Sequence, residues 1–164
     1  MIAEKEFAVF DVLTAMGISF ERFEHDAAMT MDDCDLFDQN KAAAHCKNLF
    51  LANRQGTRFY LLLVNGEKRF HTKDVSRQLG ISRLSFGTDE QLQAVLGLKP
   101  GAVSPMGLIN DHEHRVHVLL DKDVANWDRL IVHSNVNTAS IIISVIDLLR
   151  FLSLCKNPVT QISI

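Results

Sequence analysis

Phe7, Phe10, Leu13 and Met16 recur every three residues, with Val9 alongside and Gly17 at the natural stop. That spacing predicts an amphipathic helix over residues 4–16 closed by a glycine. Over residues 18–23 the period drops to two, with Ile18, Phe20 and Phe23 set against Ser19, Glu21 and Arg22 as in a half-buried strand. Thr30 precedes Asp32 and Asp33, which suits the N-cap of a short acidic helix. Residues 42–46 read as helical or turn-like. Two apolar runs, 48–52 and 59–64, flank Asn53-Arg-Gln-Gly-Thr57 and predict a hairpin, and after Asn65-Gly66 a third strand is expected over 68–71. Thr72 caps a helix ending at Leu79-Gly80, and Thr88 with Gln91 forms a capping box for a helix closing at Gly97. Strands follow at 106–109, 116–120, 130–133 and 138–143, with a turn or short helix at Asn126-Trp-Asp128. Ser144 caps a last helix through Leu154, with Asp147 in its first turn, and residues 156–164 read as a loose tail.

Strands and helices alternate, yet several strands are joined by tight turns. The expected class is therefore α/β of the α+β type, a mixed, curved sheet surrounded by helices in a single domain over residues 1–164. With 47% apolar and 23% charged residues the chain has an ordinary globular balance. A net charge of −3 argues against sequence-blind nucleic-acid binding over a broad surface, but leaves room for a small basic pocket that meets a strand end. Cys34, Cys46 and Cys155 are widely spaced and form no CxxC pair, which points to a reducing, cytoplasmic setting. No apolar run is long enough to predict a membrane span, and the first residues carry no signal core.

Candidate chemistry begins at Lys99-Pro-Gly-Ala-Val-Ser-Pro-Met-Gly-Leu-Ile-Asn-Asp111. Pro100 and Pro105 stiffen this loop, Gly101 permits close backbone approach, and residues 101–104 each keep an N–H. Such a loop suits a carbonyl oxygen or a phosphate, or is simply a connection. Lys47, just ahead of an apolar strand, is either a solvated end residue or a donor to negative charge, and Cys46 beside it reads as a packed thiol. Asp111-His-Glu-His114 with His117 invites a metal-site reading, but strand alternation would turn His117 away from His112 and His114, and a solvent-facing turn accounts for the run. His133 ends an apolar run and opens the polar segment Ser134-Asn-Val-Asn-Thr138, a layout shared by binding sites and by satisfied histidines. Dinucleotide, Walker, nucleophile-elbow and HExxH signatures are absent.

Three pieces together carry a resemblance: Lys47-Asn-Leu-Phe-Leu51, Gly101-Ala-Val-Ser-Pro105 with Gly107-Leu-Ile-Asn-Asp111, and His133 through Asn137-Thr-Ala139. They resemble the YbaK/ProX superfamily of aminoacyl-tRNA editing domains, most nearly its free-standing prolyl-tRNA editing branch (ProXp-ala or PrdX), from the first helix to Phe151. Departures from the family pattern are Ser104 where Thr is frequent, Met106 where Phe is frequent, and Ser134 where Pro often follows the histidine. The last two bear on pocket size. The resemblance implies the YbaK/ProRS-associated fold and deacylation of mischarged tRNA, typically alanine on tRNA(Pro), with cysteine on tRNA(Pro) as the activity of the YbaK branch. It implies catalytic roles for Lys47 and for the loop Gly101, Ala102, Val103 and Ser104. It implies substrate binding by Asn48, Pro105, His133, Asn137 and Thr138. No metal or other cofactor is implied. The implied partners are the acceptor end of tRNA(Pro) and, further, prolyl-tRNA synthetase, with no membrane. A non-catalytic module binding tRNA or the synthetase is the rival reading. Arg69, Lys73 and Arg77 form a candidate contact patch or a solvated helix face.

Overall fold

The structure is a computed structural model that describes residues 1–27 and 44–164. The acidic helix expected after Thr30, and Cys34, lie outside the described residues. In chain order the elements are α1 (Glu4–Ala15), β1 (Glu21–Glu24), β2 (Ala44–Asn53), β3 (Phe59–Asn65), α2 (Thr72–Leu79), β4 (Leu84–Phe86) and α3 (Asp89–Leu96). A 3-10 helix (Pro105–Asn110) follows, then β5 (Val116–Asp121), α4 (Lys122–Ala125), β6 (Arg129–His133), β7 (Ala139–Ser144), α5 (Val145–Cys155) and β8 (Val159–Ile162).

The strands form one mixed sheet in the order β1-β7-β6-β2-β3-β5-β8, with β4 paired to β2. Pairings β2/β6, β3/β5 and β5/β8 are parallel, and β1/β7, β6/β7, β2/β3 and β2/β4 are antiparallel. The expected mixed sheet with surrounding helices is thus the observed class. Every residue from Phe59 to Val64 is buried, because β3 is covered on both faces, and such a strand reads as a continuous apolar run. Leu61 and Leu63 face the main core with Leu13 of α1, Leu96 of α3 and Phe151 of α5. Leu62 and Val64 face the opposite cluster, closed by Val75 of α2, Leu84 of β4 and Ile162 of β8.

Local signals placed most helices well. Thr88 Oγ1 accepts from Gln91 N–H at 3.1 Å and the Gln91 side chain returns to Thr88 N–H at 2.9 Å, the capping box as expected. Ser144 caps α5 through Asp147 N–H at 3.0 Å. Five expectations need correction. Residues 106–109 are not a strand: Pro105 takes the first position of the 3-10 helix and Ser104 Oγ accepts from Met106 N–H, so two helix-start devices outweigh the apolar run. The tail is not loose over 159–162, where β8 adds to β5, anchored just before by Asn157 Nδ2 donating to Val116 O at 2.8 Å. Residues 68–71 form no strand, because Lys68 folds back in a turn onto Asp121 and Asp123. Residues 44–46 belong to β2 and not to a helix or turn. Thr72 is the first residue of α2 and not its cap; that position falls on His71, whose side chain makes no capping hydrogen bond. Besides these, the short β4 has no counterpart in the sequence reading, since three residues carry no period.

Candidate functional site

β2 starts beside β6, with Ala44 paired to Leu130 and His45 to Ile131, and the pairing ends there. Continued, that register would set Cys46 against Val132 and Lys47 against His133. The two parallel strands instead part, and a pocket of about 190 Å³ opens between them, lined by Lys47, Asn48, Ile131, Val132 and His133. A cleft where neighbouring strands separate is a preferred place for a ligand in a sheet with helical layers. Gly101 and Val103 wall it from the loop side.

The loop is held by its carboxyl half. Ser104 is fully buried; its hydroxyl donates to His133 O at 2.6 Å and accepts from Met106 N–H at 3.1 Å. Pro105 and Met106 are buried beneath it, and Gly107 lies so close to Leu98 that a Cβ there would come within 2.7 Å of Leu98 Cδ1. The amino half is exposed at Gly101, whose φ of +85° favours glycine. Ala102 N–H closes on Lys99 O at 3.1 Å, while the N–H groups of Gly101, Val103 and Ser104 have no hydrogen-bond acceptor among the described residues. A rigid backbone with uncommitted donors is what an oxyanion or phosphate requires.

Across the pocket, Asn48 Nδ2 donates to Cys46 O at 3.3 Å, but its Oδ1 is buried without a hydrogen-bond partner among the described residues. Buried polar atoms are nearly always paired, so this oxygen marks a place for a donor. Cys46 also touches the pocket, but burial pushes its thiol far above the ordinary range and Sγ donates to Lys47 O, as a packed thiol does. The side chain of Lys47 is half-exposed.

The structure does not bring every expected residue to this pocket. Asn137 and Thr138 line a second cavity, about 330 Å³, on the other side of the loop with Lys5, Lys99 and Pro100. Asn137 still stands beside the loop, its Nδ2 3.9 Å from where a Gly101 Cβ would be. Met106 and Ser134, the two departures expected to bear on pocket size, are both buried and outside the pocket lining: Met106 in the main core, Ser134 donating to Glu6 Oε1 at 2.6 Å. Arg69, Lys73 and Arg77 are exposed on and just before α2. The run 111–117 gathers no ligand set. Asp111 caps Arg115 and Val116 N–H, His112 and His114 point to solvent, and His117 Nε2 bonds Thr160 Oγ1 at 2.7 Å. Among the described residues no group of three or more His, Cys, Asp or Glu side chains is placed to hold a metal.

Sequence reasoning missed Ile131, Val132 and Ser140 as pocket wall. It also missed His25, whose Nε2 reaches Ser140 Oγ at 2.8 Å. Ser140 left one signal, a lone hydroxyl in the otherwise apolar run Ala139-Ser-Ile-Ile-Ile143. His25 left none.

Comparison with known proteins meets this geometry. Residues 25–151 match the aminoacyl-tRNA editing domain family. The chain is 33% identical over 141 residues to the prolyl-tRNA editing protein ProX of Acetoanaerobium sticklandii, covering 86% of each. It is 27% identical to prolyl-tRNA synthetase associated domain-containing protein 1 of Danio rerio, covering 87% of this chain and 78% of the relative. Its fold superposes on a solved structure described as a candidate trans-editing enzyme for prolyl tRNA synthetase, with TM-score 0.73, 19% identity and coverage of 100% and 99%. With its lysine, its open-backbone loop and its histidine brought to one cleft, this chain belongs to the aminoacyl-tRNA editing domain family.

Proposed function

We propose that the chain is a trans-acting deacylase that hydrolyses alanine from mischarged tRNA(Pro). The observation that carries this reading is the convergence, on one small cleft, of loop N–H groups without acceptors, the unpartnered Asn48 Oδ1 and the Lys47 side chain. Water attacks the carbonyl carbon of the aminoacyl ester, negative charge develops on the carbonyl oxygen, and the N–H groups of Gly101, Val103 and Ser104 receive it. Collapse of that intermediate breaks the bond to the ribose oxygen, which leaves as the terminal hydroxyl of the tRNA, and the free amino acid departs. Lys47 holds a phosphate or ribose oxygen of the tRNA end, and Asn48 Oδ1 accepts from the substrate's ammonium or hydroxyl group. Among the described residues the serine on the pocket wall, Ser140, is 3% exposed, with its hydroxyl taken up between the His25 and His133 rings. Ser104 is buried in two structural hydrogen bonds and Cys46 is held as a thiol, which supports attack by water.

Alanine is favoured over larger residues because the cleft is small and walled by the branched side chains of Val103, Ile131 and Val132. A synthetase pocket that accepts proline cannot strongly reject a smaller amino acid, so a second, smaller sieve removes the error. Recognition of tRNA(Pro) requires only a local grip on its single-stranded end, consistent with a net charge of −3. Cooperation with prolyl-tRNA synthetase is part of the same proposal, supported by the name of the similar Danio rerio protein, prolyl-tRNA synthetase associated domain-containing protein 1. The test is release of amino acid from tRNA(Pro) charged separately with alanine, cysteine and proline, by wild type and by Lys47→Ala. Loss of alanine with proline spared, abolished in the variant, supports the reading. Preferential loss of cysteine transfers it to that substrate, and no release by wild type leaves a binding module.

A further inference from the structure

The loop Lys99-Pro-Gly-Ala-Val103 is a partition between two cavities. Gly101 and Val103 line the editing cleft, of about 190 Å³, while Lys99, Pro100 and Ala102 line the second cavity, of about 330 Å³. Lys5 of α1 and the turn that carries Asn137 and Thr138 complete that second cavity. Its lining holds two cations and no carboxylate, in a chain whose net charge is −3. Neither lysine forms an ion pair among the described residues. Lys5 Nζ donates to Gly97 O at 3.2 Å, which fixes the ammonium near the start of the loop and leaves it two further hydrogens. The turn is fixed as well. Ser134 donates to Glu6, the neighbour of Lys5, and Asn135 donates from Nδ2 to Met106 O at 3.3 Å. Asn135 has a φ of +69°, a conformation that asparagine tolerates better than most residues. Two ammonium groups, an amide and a hydroxyl around a space without a carboxylate form a donor set for a phosphate.

We propose that this second cavity is a phosphate subsite, built on Lys5 and Lys99, that takes a phosphodiester group of the single-stranded tRNA end while the aminoacylated ribose occupies the cleft. The inference rests on the deacylase reading. Because one stretch of chain separates the two cavities, a strand that crosses it places neighbouring groups in both at once. Asn137 stands at the crossing, its Nδ2 3.9 Å from where a Gly101 Cβ would be, and the glycine leaves the passage open. What the subsite supplies is register: a gripped phosphate sets how far the strand end reaches into the cleft, without reading the base attached to it.

The test compares wild type, Lys5→Ala, Lys99→Ala and Lys99→Glu on alanyl-tRNA(Pro) and on alanine esterified to adenosine alone, which carries no phosphate. On the tRNA, KM should rise about tenfold in each alanine variant and further in Lys99→Glu, with kcat within about twofold of wild type. The slope of log kcat/KM against log salt should flatten by about 0.7 for each lysine removed. On the adenosine ester every variant should match wild type. Lys122→Ala, which removes the same charge outside the cavity, should match it on both substrates. An unchanged KM for the tRNA in both alanine variants, an equal loss on the adenosine ester, or an equal loss in Lys122→Ala overturns the proposal. The dissociation constant of uncharged tRNA(Pro), read by fluorescence anisotropy, should rise about tenfold in Lys5→Ala and in Lys99→Ala. A wild type inactive on every charged tRNA counts against the deacylase reading, while that binding measurement still decides the subsite.

Discussion

Around Asp111 and around Lys47 the chain gathers similar material, histidine, amide and charge near the end of a strand, and uses it in opposite ways. Asp111 is 4% exposed; Oδ1 accepts from Arg115 N–H, and Oδ2 accepts from Val116 N–H and Asn157 Nδ2. His117 is bonded to Thr160 and stacked on Tyr60, and burial lowers its pKa below the ordinary imidazole value. That carboxylate and that imidazole are engaged within the fold. In the cleft beside Lys47, by contrast, the amide oxygen of Asn48 and the N–H groups of Gly101 and Val103 have no partners among the described residues. The difference teaches that residue type in sequence marks a place as polar and not what the fold does with it. An unpaired amide oxygen is not by itself the mark of a site, since Asn157 Oδ1 beside Asp111 is also buried without a partner among the described residues. It is the meeting of several open groups at one cleft that sets the Lys47 region apart.

Substitutions should therefore split cleanly between the two regions. The largest effect is expected for Lys47→Ala, a loss of about 10²–10³ in kcat/KM for deacylation, comparable to removing one charge-stabilising donor, with Tm unchanged in a thermal melt. Asp111→Ala should do the reverse: it leaves buried N–H groups unpaired and costs about 3 kcal/mol of stability in denaturant titration, with activity per folded molecule retained. An Asp111→Ala enzyme that is stable but inactive would erase the distinction.

A middle case is Glu6 of α1, buried where Ser134 donates to it. Burial by itself raises its pKa, but hydrogen bonds from Arg22, Ser134 and Ala3 N–H, with the Arg22 charge, outweigh it and hold the carboxyl below its ordinary value of 4.5. A carboxylate with a lowered folded pKa contributes stability that is present above its unfolded value and lost as pH falls from about 4.5 through the lowered one. Glu6→Gln should cost about 2 kcal/mol at neutral pH, less than a fully buried pair because Arg22 is partly exposed, and the gap to wild type should narrow in acid unfolding. Smallest is Gly101→Ala. Its positive φ costs about 1 kcal/mol for a residue with a Cβ, and the measurable outcome is a roughly tenfold drop in kcat/KM as the loop donors shift, with little change in Tm.

Much of this was legible along the chain because its causes are local. The period-three run of α1, the Thr88–Gln91 box, the Ser144 cap and the hairpin of β2 and β3 each depend on residues a few positions apart. The lysine, the glycine-proline loop and the histidine could be named as candidates for the same reason, since their residue types carry the chemistry. The tertiary structure alone decided what lies between them. The parting of β2 from β6 involves strands some 85 residues apart, and no local period reports where a pairing ends. The same holds for β8, whose alternation is masked because only Ile162 is buried, and for the transfer of Asn137 and Thr138 to the far side of the loop. The meeting of His25, Ser140 and His133 belongs there too, because only the pairing of β1 with β7 and of β7 with β6 sets these residues, distant in the chain, side by side.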